Sequence, residues 1–442
     1  MAIASHIEAW TPGCVRTQGE GRLRVLVLDE ALPHPPDSGK RLRTWHLLRR
    51  LAHQHTITLL AYGSGDAARD RSAVAALESE GIESLTVAPP SPASGWRLHA
   101  RLLCNCASPW PYSVAKHHTG RMEAALAALW REGRFDLVQV EWTPFASHLR
   151  RSAIPHLIAS HNIEAQIWRR RAAVSGPAGA LYFRWQAAKM RRFEQRAFAR
   201  AAGVTAVSHE ECSVARSWGA NDASVVANGV DLEWFQPRSG AVVAGRLVFV
   251  GALDWHPNED AVLHFVEAIA PRLRALRPES RLQVVGRRPS AALRRRLQAA
   301  CGVELVGEVE DVRPHLAGAS AVVVPLRIGG GSRIKILEAL AMEKAVISTR
   351  VGAEGLGLED GRHLLLADGD EEFARTAAAL LGDDGRAQQL GREGAERVRA
   401  QFSWNRCAQD LESAWRCVLR NGGEPGRSAR SRPNTSNRKE LA

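Results

Sequence analysis

An α/β chain of two similar-sized tandem domains, each built on a parallel sheet, is what this sequence predicts, and three observations predict it. Short apolar runs with the β-branched content of buried strands alternate with helical segments along most of the chain. The alternation restarts after residues 238–245, a polar and small-residue stretch that suits an interdomain linker. At 442 residues the chain is also too long for one ordinary domain.

Residues 1–21 read as an unstructured leader and 22–237 as the first domain. Residues 24–28 (RVLVL) open it as a strand. The loop that follows carries prolines and Asp37-Ser38-Gly39. Residues 42–51 then read as a helix and 55–62 as the next strand. A glycine in the first β–α loop is where a ligand phosphate or sugar meets backbone amides, so Gly39 is a candidate contact; a plain turn glycine is the other reading. Residues 121–132 read as a helix, 136–140 (DLVQV) and 156–160 (HLIAS) as strands. Ligands bind beyond the carboxyl ends of parallel strands, and Glu141 and His161 directly follow two such ends.

Residues 165–202 form a long helical region rich in arginine and interleaved with Trp168, Tyr182, Phe183, Trp185 and Phe193. Such a helix suits an anionic membrane surface; it equally suits a solvated face whose aromatics pack inward. A strand at 203–208 follows, and VVANGVD at 225–231 reads as a strand ending in an Asn-Gly turn.

The second domain, residues 246–402, begins with a strand at 246–251, a helix at 259–273, a strand at 281–286, a helix at 291–300 and a strand at 303–306. It then reaches the most informative stretch, VVVPLRIGGGSRIKILEALAMEKAVISTRVGAEGL from Val322. An apolar strand stops at Pro325. Gly329, Gly330 and Gly331 follow, with Ser332 in N-cap position, and a helix places Ile334, Leu337 and Ala341 on one face. A second β-type run at 345–349 closes the unit. Glycines let the backbone approach a ligand, and the free N–H groups of a first helical turn favour an anion. Arg333 and Lys335 add two cations there, and Glu338, one turn on, can accept both hydrogen bonds of a ribose diol. The alternative is a tight turn beside an i,i+3 surface pair worth roughly 0.2–0.5 kcal/mol. Helices at 371–381 and 391–402 and a last amphipathic helix at 403–419 lead into a basic, disordered tail at 421–442.

The net charge is +12, and the tail supplies little of it, with five basic residues against Glu424 and Glu440. Charge of that size points to anionic substrates, a membrane surface or nucleic acid. No apolar run approaches the roughly 20 residues that span a bilayer, and no signal peptide is evident, so the expectation is a cytoplasmic chain, peripheral on the inner face of the membrane if the basic helix binds there. Seven cysteines, an odd number, argue against a disulfide framework. Cys104 and Cys106 form a C-x-C pair without a partner pair at zinc spacing, so the thiols are expected to be small core residues.

Taken in order, PPDSGKRLR (35–43), HNIE (161–164), VANGVDLEWFQP (226–237), FVGALDWHPNEDAV (249–262), VVGRRP (284–289), GGGSRIKILEALAM and TRVGAEGL resemble the retaining GT-B glycosyltransferases, in particular family 4, over about residues 22–418. The flavour is that of sugar transferases in bacterial exopolysaccharide clusters. The resemblance implies two Rossmann-like domains facing a central cleft, with the last helix packing back towards the first domain. It implies hexosyl-type transfer with retention, from a UDP- or GDP-sugar held by the second domain to a glycan or lipid-linked acceptor held by the first, with no metal or other cofactor. Residue by residue, Glu338 matches the second glutamate of an E-x7-E motif and binds the ribose. Gly39 lends its amide near the distal phosphate, and His161 sits by the donor sugar. Gly330, Gly331, Ser332, Arg333 and Lys335 meet the diphosphate, and Gly251 and Gly286 complete the nucleotide-sugar set. Two departures stand out. Gly330 replaces the first glutamate, and GALDWHPNED after the first strand of the second domain lacks the usual Arg and Lys, which moves the phosphate charge onto Arg333 and Lys335. A sugar-nucleotide epimerase of the same fold is the alternative. Nucleic-acid binding has only charge behind it, without an aromatic-basic RNA motif or a helix-turn-helix pattern, and is not expected.

Overall fold

Strands form where the sequence concentrates apolar β-branched residues, and among the described residues their pairings are parallel. The computed structural model describes residues 21–422 apart from 92, 134, 150, 151, 174, 239, 241 and 329–332. The leader before residue 21, the tail beyond 422, and Gly330, Gly331 and Ser332 lie outside the described residues. Among the described residues the strands form two sheets. The first has the order β3 (Ile82–Val87), β2 (Thr56–Tyr62), β1 (Arg24–Asp29), β4 (Leu137–Val140), β5 (His156–Ser160), β6 (Gly203–Ala206) and β7 (Ala223–Val225). The second has the order β10 (Val303–Gly307), β9 (Arg281–Val285), β8 (Arg246–Val250), β11 (Ala321–Val324), β12 (Val346–Ser348) and β13 (Leu365–Leu366).

The residues of β1 from Val25 to Leu28 are fully buried, as a strand covered by helices on both faces requires. In register, Val27 lies beside Leu59 on β2 and Gln139 on β4. Each sheet reverses its strand order once, between β1 and β4 and between β8 and β11. The crevice beyond the carboxyl ends at such a reversal is where open α/β sheets bind ligands. The residues that follow β11, Pro325 to Ile328, leave at the reversal of the second sheet.

Several elements differ from expectation, each for a local reason. The first helix is Gly39–Ala52, starting at Gly39 itself because Ser38 caps it. The long basic helical region is two helices, Glu164–Ala173 and Pro177–Arg200, since Gly176 and Pro177 end one and begin the other. The strand expected at 225–231 stops at Val225; the Val226 and Ala227 carbonyls instead accept from the buried Arg43 guanidinium, at 2.7 and 2.6 Å. The helix expected at 259–273 starts at His256 and contains a π turn, Phe265–Ile269, just before Pro271, whose missing N–H breaks the regular ladder. The helix Asp384–Gln401 starts earlier than expected because the Asp383 side chain caps it. β3 and the helix Gly95–Ala107 have no counterpart in the sequence reading.

The last helix, Trp404–Gly422, packs on the first domain. Trp404 stacks on His46 with centroids 5.1 Å apart, and Trp415 Nε1 donates to Gln139 Oε1 at 2.5 Å. Both indoles are buried. Gly229 has no room for a side chain, because a Cβ there would lie 2.7 Å from the Trp404 ring. The thiol expectation needs correcting: Cys212 and Cys407 are buried, but Cys104, Cys106 and Cys301 are exposed. Cys104 and Cys106 sit on a helix whose one buried residue is Asn105. Among the described residues no helix is long and apolar enough to cross a membrane.

Candidate active site

On the second-sheet side the site is built from loops at the strand reversal. Lys335, in the first turn of the helix Ile334–Ala341, donates from Nζ to Asn258 Oδ1 at 2.7 Å and lies 4.3 Å from the centroid of the Phe249 ring. Gly251, directly after β8, leaves the space that this ammonium uses, since a Cβ there would fall 2.6 Å from Nζ. Gly286, directly after β9, packs against the Gly251 carbonyl so closely that no side chain fits. The two glycines therefore shape the floor under Lys335. Burial pushes Lys335 down to about 7, with neighbouring Arg333 adding to the effect against the pull of Glu338. Burial likewise pushes Glu338 up to about 7, against the pull of Lys335.

Arg333 is engaged elsewhere. It stands at the N-cap of the same helix and is buried, with Nη2 3.4 Å from Glu354 Oε2. It lines an interdomain cavity with Asn228, Glu210 and Glu211. Of the two cations expected to meet the diphosphate, Lys335 rests on Asn258, while Arg333 is within electrostatic range of Lys335 and reaches Glu354.

On the first-sheet side His161, directly after β5, is buried with Nε2 2.9 Å from Glu141 Oε2, directly after β4. Thr44 and Gln139 also donate to the Glu141 carboxylate. Burial raises the Glu141 carboxyl, but the His161 hydrogen bond, Arg43 and Gln139 outweigh it and hold it at about 2. Burial lowers His161 despite that carboxylate, so the neutral imidazole donates Nε2–H to Glu141 and keeps a lone pair on Nδ1. Gly39 is the first residue of its helix, beside Lys40. Lys40 reaches Asp29 Oδ1 at 2.5 Å and Glu30 Oε1 at 2.9 Å; burial opposes its charge, but the two carboxylates raise it well above the ordinary range.

A cavity of about 440 Å³ spans both domains here, lined by Asp29, Lys40 and Arg69 from the first and Arg287 and Arg288 from the second. Arg287 Nη1 crosses it to Asp37 Oδ2 at 2.8 Å, and Arg41 and Arg69 reach the same carboxylate at 2.9 Å. Burial raises Asp37, but the arginines outweigh it and keep its carboxyl below the usual range. Lys40, Asp29 and Arg287 were not singled out from the sequence. A charged residue at the end of β1 and the G-R-R-P after β9 were the available signals. Among the described residues, His118, Glu123 and His148 are the one group whose ligand atoms lie close enough to hold a metal, within 4.8 Å of one another, and none of the residues above belongs to it.

Two family models match the chain: glycosyltransferase family 4 over residues 38–234 and glycosyl transferases group 1 over residues 244–383. The D-inositol 3-phosphate glycosyltransferase of Rhodococcus jostii is 28% identical over 49% of this chain and 53% of its own length. The alpha-maltose-1-phosphate synthase of Mycolicibacterium smegmatis is 28% identical over 63% of this chain and 77% of its own. The chain thus spans about half the length of the first of these relatives. In structure it is similar to sucrose-phosphate synthase from Thermosynechococcus elongatus (TM-score 0.68, 17% identity, 90% of this chain and 100% of that one). It is also similar to HepE from Anabaena in complex with UDP and glucose (TM-score 0.63, 14% identity, 89% and 100%). Both likenesses concern the fold, which is the GT-B arrangement of two parallel-sheet domains.

Proposed function

We propose that this chain, which belongs to the group 1 and family 4 glycosyltransferases, moves a hexosyl-type sugar from a UDP- or GDP-sugar to a glycan or lipid-linked acceptor with retention at the anomeric carbon, in exopolysaccharide or cell-surface glycan synthesis. The observation that carries this reading is the placement of Lys335 and Glu338 one helical turn apart at the strand reversal of the second sheet, with Gly251 and Gly286 making room for the Lys335 ammonium. A cation and a carboxylate one turn apart suit a diphosphate and a ribose diol.

In the proposed step the bond from the anomeric carbon to the diphosphate oxygen breaks. The acceptor hydroxyl oxygen bonds to that carbon on the same face, and its proton passes to the departing diphosphate oxygen. Negative charge grows on the leaving group, so the decisive contribution is a fixed cation in a water-poor cleft. Lys335 fills that role without a metal, because an arriving phosphate raises its titration and fixes the proton it holds in the empty site only near neutrality. Glu338 accepts from the ribose hydroxyls, and the Gly39 amide meets the distal phosphate. His161, oriented by Glu141, presents Nδ1 to a hydroxyl of the donor sugar. The HepE complex with UDP and glucose and the phosphate-bearing names of the two relatives support a nucleotide-sugar donor and leave both glycan and phosphorylated acceptors in range.

The test is incubation of the chain with a panel of nucleotide-sugars and candidate acceptors, following nucleoside diphosphate release, with NMR of the product's anomeric proton. Release coupled to a product of unchanged anomeric configuration is expected. An inverted product overturns the mechanism, and an epimerised donor without transfer overturns the reading.

A further inference from the structure

We propose that the exposed sides of the helices Gly95–Ala107 and Pro177–Arg200 form a docking surface for an anionic phospholipid bilayer. Three side chains stand apart from all other large apolar ones among the described residues: Trp96, Leu103 and Leu181 are 76, 73 and 72% exposed. All three sit on these two helices, and Trp185, 46% exposed, lies one turn from Leu181. Single exposed apolar residues are ordinary on a soluble surface; a concentration of the most exposed ones on two joined helices is not.

The helices are joined by a polar seam. Asn105, the one buried residue of the shorter helix, accepts at Oδ1 from Gln186 Nε2 at 2.9 Å, and its carbonyl accepts from Lys189 Nζ at 2.7 Å. Trp96 and Leu103, seven residues apart, share the face turned away from that seam. On the longer helix Gln186, Lys189, Met190, Glu194 and Phe198 face inward, which leaves Leu181 and Trp185 on the outer side.

The charge around these side chains has one sign. The shorter helix contains no aspartate or glutamate, and its Arg97 and Arg101 are exposed. The longer helix contains one acid, Glu194, which is fully buried and spends its carboxylate on the Glu164 and Ala165 amides at 2.8 and 3.0 Å. Arg184, Arg192 and Arg196 are exposed on the same helix. Stable attachment to a bilayer takes two signals, an inserted apolar group and a basic surface, and this face supplies both. Aromatic and leucine side chains would enter the headgroup boundary while the guanidiniums meet lipid phosphates. The longer helix holds the Glu164 amide, three residues past His161, through the buried Glu194 carboxylate, so this face belongs to the same domain as His161. Docking itself requires no sugar donor, so it stands or falls apart from the transferase reading.

The experiment is sedimentation of the full chain with phosphatidylcholine vesicles, with and without phosphatidylglycerol, at about 0.15 M salt. Two variants accompany it: Trp96→Ser/Leu103→Ser/Leu181→Ser/Trp185→Ser, and Arg184→Glu/Arg192→Glu/Arg196→Glu. Partitioning at least about tenfold stronger into the anionic vesicles is expected, with a loss of about tenfold or more in each variant while the thermal melt stays unchanged. Equal partitioning into neutral vesicles, or none, overturns the proposal. Undiminished binding by both variants also overturns it and assigns the affinity to residues 423–442. So does a concentration-dependent dimer, without vesicle binding, that the serine variant abolishes, since a second copy is then the occupant.

Discussion

The two walls of the cleft satisfy their charges in different ways. On the first-sheet wall the charged groups are already satisfied: Glu141 by the His161 N–H and the nearby Arg43 charge, Lys40 by Asp29 and Glu30, Asp37 by Arg41 and Arg69. On the second-sheet wall Lys335 and Glu338 have no ion pair among the described residues; Lys335 rests on a side-chain amide and an aromatic face. Their titration records the contrast. Burial outweighs their mutual attraction and brings Lys335 and Glu338 to about 7 from opposite directions, whereas the deeply buried Glu141 is held at about 2. The first wall is a completed framework. The second is the one that the proposed nucleotide-sugar donor would complete.

The largest expected effect breaks the framework. Glu141→Ala leaves Arg43 and His161 buried beside an empty site, and removing one partner of such a group costs about 3–5 kcal/mol of stability, read by urea denaturation. A change below about 1 kcal/mol would mean that the wall does not depend on this carboxylate. The sign with pH follows from its depressed titration. The Glu141 contribution is complete above its unfolded value of 4.5 and is lost as pH falls through that value towards 2. Lys335→Ala probes the other wall and should leave stability nearly unchanged. Its kcat is expected to fall by about 100- to 1,000-fold, the equivalent of about 2.7–4 kcal/mol, with a smaller rise in donor KM. The reverse pattern would make Lys335 a binding residue only.

The smallest effect sharpens the comparison. With Lys335 and Glu338 both near 7 in the empty cleft, affinity for a nucleoside diphosphate should peak close to neutral pH. Above it Lys335 must take up a proton on binding, and affinity falls by at most about tenfold per pH unit. Below it Glu338 is protonated and accepts more weakly from the ribose. Calorimetry on Lys335→Arg should show the alkaline limb gone, and on Glu338→Gln the acid limb gone. A limb that survives its own substitution assigns that proton to another group.

Much of the scaffold was legible because its signals are local. RVLVL, DLVQV and AVVV carry the period and length of buried parallel strands, and Glu141 and His161 were legible as cleft residues from their position after strand ends. The helix Gly95–Ala107 was missed because it buries one residue, Asn105, and so has no apolar stripe to read. Cys104 and Cys106 were misjudged for the same reason: nothing in a C-x-C pair tells whether its helix faces the core. The Gly176-Pro177 break is a local signal, but the run of arginines and aromatics on both sides of it reads as one helical region. The convergence of Arg41, Arg69 and Arg287 on Asp37 joins residues up to 250 positions apart in two domains, and no local pattern encodes it. Arg333 illustrates the converse, since its neighbour in sequence, Ile334, gives no hint of Glu354 in space.

The return of the last helix to the first domain changes what the molecule can do mechanically. The polypeptide passes between the domains twice, through the 238–245 stretch and again at Phe402–Ser403, where Val230 N–H donates to the Phe402 carbonyl at 2.8 Å and Val230 bridges Ser403. A body joined to another by a single tether can swing, twist and drift. One pinned at two points keeps a single easy rotation, about the line through both pins. Trp404, clamped between His46 and Gly229 immediately beyond the second pin, stops that axis from sliding. Any rotation of one domain against the other is thereby confined to the axis through the two crossings.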